Sequence, residues 1–223
     1  MPVETLDLAE PFFGVRVVRG EDRLKISGRA ILVNLGADAI GICGQSLRPL
    51  QSVIVQDVTV ERVDWAVIIE RFDDHDDDAA LFDRVQATWP SAFDMRGEER
   101  LRGVAHYMSK KVFVDNIGIT FYHSGSVPLN VGLHKEHPFC PVPGFREVHT
   151  QVVGFGKMQQ CHEQDVATLY LEEPMAPGAT HRPMYDAEGN YPWHQYETIT
   201  PSIFVAFEIL PEGVFVPGME DGQ

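Results

Sequence analysis

At 223 residues, with 15 prolines and 19 glycines between short apolar runs, the chain is long enough to bury a core and too punctuated for long helices. A formal charge of −15 excludes nucleic acid and anionic membrane as partners, since both repel it, and favours a soluble protein that takes up a cation. Cys43, Cys140 and Cys161 form no CxxC pair and read as reduced thiols; without a membrane-length apolar run or a basic-then-apolar leader, a cytoplasmic protein is expected.

Residues 1–72 carry β-branched runs at 15–18, 30–33, 52–55 and 63–69, separated by Gly, Asp or Pro and expected to be strands. No histidine precedes His75, so this part offers no imidazole site of its own. The acidic run over 73–78 lacks the glycine and distal glutamate spacing of an EF-hand. It reads instead as the start of a helix, where free backbone N–H groups welcome carboxylates. Leu81, Phe82 and Val85 give that helix its apolar face, and Pro90 stops it. A second amphipathic helix is expected over 98–108, with Leu101, Val104, Ala105 and Met108 inward.

From Val112 the strand pattern returns, with candidates at 112–114, 117–122, 127–134, 147–153, 157–161, 168–173 and 202–210. Their short, regular spacing is that of a β-sandwich or barrel. The expected organisation is a β-rich extension or degenerate half over 1–105, with short helices, followed by a barrel over 106–223 that carries the site.

Ionisable groups crowd into one stretch, Gly132-Leu-His134-Lys-Glu136-His137, a proline-rich turn, then Glu147-Val-His149-Thr-Gln151. Alternate residues of a strand share a face, so Glu147, His149 and Gln151 point the same way. Burying a carboxylate with imidazoles is costly unless they are paired or hold a cation. Imidazoles with one carboxylate suit Zn, Fe, Mn, Ni or Cu better than Mg or Ca. Downstream, Pro177-Gly178 marks a tight reversal that delivers His181, and an irregular loop then crowds Tyr191, Trp193, His194, Tyr196 and Glu197 together.

Here the chain resembles the cupin superfamily of small β-barrels. Its first motif ends with a glutamate, six residues and a glycine, as do Glu147 and Gly154; its second carries a proline-glycine turn before a metal-binding histidine, as does Ala176-Pro-Gly-Ala-Thr-His181. The resemblance covers roughly 112–210. It implies a mainly β, cupin-like jelly-roll barrel with Glu147 and His181 as ligands to one divalent transition metal (Zn, Fe, Mn or Ni) on facing strands. The family's paired histidines, one residue apart, are replaced here by His134-Lys-Glu-His137 and a longer insertion. The expected ligands are His134, His137, Glu147 and His181, with His149 as the substitute for one of them. His194, Tyr196, Glu197 and Glu136 are the candidate catalytic groups, placed to move protons.

Two enzyme classes follow from the resemblance. One is an isomerase, epimerase or lyase using metal-assisted proton transfer on a small polar, sugar-like molecule. The other is an Fe(II) dioxygenase. A non-catalytic barrel that binds a small ligand is the third reading. Exposed strand edges make a homodimer the default assembly.

Overall fold

The computed structural model describes residues 3–75, 78–125, 132–137, 142, 144–186, 190–211 and 213–214. Strands β1 (Val3–Leu6), β2 (Gly14–Asn34), β3 (Ile40–Ile42), β4 (Gln45–Leu47) and β5 (Ser52–Glu70) form an antiparallel sheet in the order β1-β2-β5-β3-β4. The four apolar runs expected here belong to only two strands: 15–18 and 30–33 lie in β2, 52–55 and 63–69 in β5. The largely polar middle of β2 hides that continuity in the sequence. Within it Gly20 and Gly28 take φ angles of 62° and 75°, which suit a residue without Cβ, and the pairing with β5 shifts register between Ile26 and Arg29.

Helix α1 (Leu81–Thr88) buries Leu81 and Val85 as its spacing predicts. The Asp78 carboxylate accepts the Ala80 N–H and pairs with Arg84, so part of the acidic run does serve the helix start. Asp76 and Asp77 lie outside the described residues. A short helix α2 (Ala92–Arg96) is capped by Ser91, whose hydroxyl accepts the Asp94 N–H. The helix expected over 98–108 is replaced by one 3-10 turn, Glu99–Leu101, and strand β6 (His106–Met108). Gly103, at φ 72°, breaks the helical path between them.

The remaining strands are β7 (Val112–Val114), β8 (Ile117–Ser124), β9 (Arg146–Val153), β10 (Gly156–Cys161), β11 (Leu169–Met175), β12 (Trp193–Thr198) and β13 (Ser202–Ile209). They form two further sheets, β6-β8-β13-β9, with β7 on β8, and β11-β10-β12. The protein is mainly β, as its punctuation foretells. Of the strand expected over 127–134, residues 127–131 lie outside the described residues, as does Cys140. Strand β12 falls where an irregular loop was expected, because polar residues on both of its faces mask the alternation.

Two cores fix the layering. Phe13, just before β2, and Val17, Ile31, Val67 and Ile69 of the first sheet, with Leu81 and Val85, pack with Ile119, Phe121, Val148, Val205 and Phe207. The opposite face of that second sheet packs Tyr122, Phe204 and Ala206 against Met158, Met175 and Tyr196 of the third. Since Val148 and Val152 face the first core, the pleat turns Glu147, His149 and Gln151 into the interior between the second and third sheets. Among the described residues, no helix is long and apolar enough to cross a membrane.

Candidate metal centre

His134 and His194 form an isolated antiparallel bridge, each backbone N–H donating to the other's carbonyl at 3.0 Å. Directly opposed residues of such a pair put their side chains on one face, and the two rings lie 4.4 Å apart. His137 completes the group, with Nε2 3.1 Å from His194 Nε2. One ring nitrogen from each of His134, His137 and His194 lies within 4.8 Å of the others.

The ring orientations carry chemical information. His134 Nδ1 lies 3.0 Å from the Gly132 carbonyl, and His194 Nδ1 lies 2.9 Å from the Pro192 carbonyl. A carbonyl accepts only, so in both rings Nδ1 bears the proton and Nε2 keeps its lone pair. This outer hydrogen bond to a backbone carbonyl is how metal-ligating histidines are held in one tautomer. Two nitrogens bound about 2.1 Å from one ion at ordinary angles sit about 3–4 Å apart. The residues therefore fit a single transition-metal ion after small side-chain rotations.

Glu147 lies beside this group. Its Oε2 is 3.6 Å from His137 Nε2 and its Oε1 is 3.6 Å from His149 Nε2, so the carboxylate stands between two imidazoles. Burial alone raises its pKa, but His149, with His137 and His194, holds it well below the usual carboxylate range. The Glu147 backbone N–H donates to Tyr191 Oη at 2.9 Å, and the Tyr191 ring packs on His137 at 4.8 Å. Burial, followed by the charges of His134 and His137, pushes His194 down to about 3, against the carbonyl of Pro192, which favours the proton.

His181 is placed differently from the triad. Its Nδ1–H donates to the Arg182 carbonyl at 2.7 Å, while its Nε2 accepts the His149 backbone N–H at 2.9 Å and lies 3.0 Å from His149 Nδ1. Its Nε2 is thus taken up by His149 and is not shared with the triad. It is fully buried, and burial and then His149 lower its pKa to about 3. His149 and His181 form a pair on the far side of Glu147 from the triad.

The Pro177-Gly178 reversal seats this pair. Residues 178–181 run along the free edge of β9: Gln151 N–H donates to the Ala179 carbonyl, Gly178 N–H to the Gln151 carbonyl, and Thr150 bridges Thr180. Gly178 takes φ 84°, and a Cβ there would lie 2.6 Å from Ile54 Cγ1. Gly154 takes φ 77°, and its Cβ would collide with the Pro201 carbonyl. The motif glycines thus answer to backbone geometry, not to the ligands.

The remaining candidates disperse. Tyr196 is buried, its hydroxyl bonded to Gln151 and its ring 5.7 Å from His149. Burial raises its pKa. Glu197 lies on the opposite face of β12, 3.8 Å from Lys157. Glu136 is exposed, and Lys135 lies with its ammonium 5.2 Å from the centre of the Trp193 ring. Sequence reasoning placed His194 among proton movers instead of beside His134, because the bridge between them is long-range. It also missed Glu208, which stands opposite Glu147 on β13.

No protein family matches the chain, and no curated protein does. Solved structures similar to it include a salicylate 1,2-dioxygenase mutant from Pseudoaminobacter salicylatoxidans, at 10% identity and TM-score 0.36, covering 93% of this chain and 74% of that one. An oxalate decarboxylase is similar at 8% identity and TM-score 0.34, covering 96% of this chain and 73% of that one. AerE from Microcystis aeruginosa is similar at 10% identity and TM-score 0.33, covering 94% of this chain and 97% of that one. The dioxygenase and the decarboxylase have the cupin fold. Likenesses of this strength fix no activity.

Proposed function

We propose that the protein is a metal-dependent enzyme of the cupin type, acting by proton transfer on a small polar, sugar-like molecule as an isomerase, epimerase or lyase. The observation that carries this reading is the pair of carbonyl-anchored rings, His134 and His194, presenting Nε2 lone pairs beside His137 and Glu147. The three histidines, with Glu147 beside His137, would hold one divalent transition metal, and such an ion would supply polarisation of an oxygen or a lowered pKa for its water.

The chain's own groups do the rest. Tyr191 fixes the backbone at Glu147 and braces His137. His149 Nε2 faces the carboxylate and is the atom placed to give or take a proton there, while His181 holds the other edge of that ring. The crowding of ionisable groups around Glu147 favours proton transfer over oxygen activation.

Metal analysis of the purified protein tests the reading. Zinc, manganese or nickel at one equivalent, with turnover of a hydroxylated substrate independent of oxygen, supports it. Bound iron with oxygen uptake moves the assignment to a dioxygenase. Failure to retain any of these ions after loading leaves a ligand-binding barrel without catalysis.

A further inference from the structure

Cross-strand register lays out the interior beyond the histidines. Glu147, Glu208 and Gly118 stand opposite one another on β9, β13 and β8; His149, Ala206 and Thr120 make the next row on the same face. Ala206 offers only a methyl group between the imidazole and the hydroxyl.

Two polar atoms in these rows are orphaned. Glu208 is 5% exposed; its Oε1 is held by Lys111 Nζ at 2.5 Å, but its Oε2 has no hydrogen-bond partner among the described residues. Thr120 is 1% exposed and its Oγ1 meets no partner with hydrogen-bond geometry among the described residues, although the Tyr122 hydroxyl is near enough to feel it. A buried donor or acceptor left unmade costs the full desolvation of that group. Neither residue contributes to the apolar packing of its face, and the ion pair with Lys111 accounts for only one of the two Glu208 oxygens. A carboxylate anchored through one oxygen by the half-buried ammonium of Lys111 keeps the other fixed in direction and able only to accept.

We propose that Glu208 Oε2 and Thr120 Oγ1 form a subsite that binds a hydroxyl group of a small ligand inside the barrel. The ligand hydroxyl donates to Glu208 Oε2 and accepts from Thr120 Oγ1. Lys111 is a positioning residue that holds the carboxylate. The inference rests on reading this interior as the ligand site, and it adds the residues that recognise a ligand hydroxyl, one strand away from Glu147.

The test uses a matched pair of probes, glycolate and acetate, which differ by one hydroxyl. Their dissociation constants are measured by saturation-transfer NMR on the whole protein, zinc-loaded and metal-free, for wild type, Glu208→Gln and Thr120→Val. Both substitutions keep size and shape, and zinc content is determined for each sample. The expected result is a preference for glycolate of about tenfold in wild type that falls to near one in both variants while zinc content stays the same. A preference that survives in both variants, which is what chelation of zinc by the hydroxyl alone produces, overturns the subsite. So does a wild-type ratio of one in both metal states. If zinc fails to bind, the metal reading falls, and the same ratio on metal-free protein still decides the subsite.

Discussion

His134 and His194 exchange both of their backbone hydrogen bonds, and the two rings that result are each pinned by Nδ1 to a carbonyl of their own neighbourhood. A site made this way is preorganised by main chain. Its geometry depends on β12 lying straight, since the residue that carries the ring also carries the bridge.

Replacing His194 with alanine should therefore remove a ligand and leave the strand. Metal affinity should fall by more than the about 10- to 100-fold that the loss of an outer partner costs. Tyr191→Phe, which removes such a partner from the Glu147 N–H, should fall within that range. Cobalt titration followed by its visible absorption reads both; unchanged affinity in His194→Ala contradicts the site.

His181→Ala gives the opposite pattern. Its loss strands the His149 N–H that donates to Nε2 and should cost about 1–3 kcal/mol. Metal stoichiometry should hold, because the triad does not include it. Loss of metal with unchanged melting temperature would place His181 among the ligands, as the spacing of the Pro-Gly motif suggests.

The metal-free protein should lose stability on mild acidification. His181 and His194 are both held at about 3 in the folded state, whereas an unfolded histidine titrates near about 6.5. Between those values the unfolded chain binds protons that the folded chain refuses, so stability falls as pH drops from about 6.5 toward 3 and is level above that range. Glu147 acts in the same direction lower down: its folded pKa is depressed from 4.5, and its contribution is lost as pH falls below that value. Melting curves from about pH 8 to about pH 4 check this; a flat profile across the range refutes it.

Two glycines separate strain from crowding. Gly20 and Gly178 both have positive φ, but a Cβ meets nothing within 4 Å at Gly20 and Ile54 at 2.6 Å at Gly178. Gly20→Ala should cost about 1–2 kcal/mol for the left-handed backbone alone. Gly178→Ala should cost about 1–3 kcal/mol more from overpacking. Equal losses on chemical denaturation rule out the close approach of the two segments.

The inward face of β9 was legible from the sequence because period-two alternation names Glu147, His149 and Gln151 without any partner strand. The strand ends in β2 and β5 were legible for the same local reason. The bridge between His134 and His194 was not, since nothing in either segment encodes the other as its neighbour. The second helix was misread because an apolar spacing over 98–108 says nothing of Gly103, whose left-handed backbone ends the helical path. Glu208 went unnoticed inside an apolar strand, where its significance comes only from the residue across the sheet.

The apolar layer shared by Phe13, Ile31 and Val67 on one side and Phe121, Val148 and Phe207 on the other makes the two ends of the chain mutually dependent. A fragment severed near residue 105 would present that greasy wall to water and invite aggregation. It would also lose Ser52, whose hydroxyl holds the Gly178 carbonyl and accepts from Thr180. Dissecting this protein by truncation would thus damage the centre from behind, through segments that contribute none of its imidazoles.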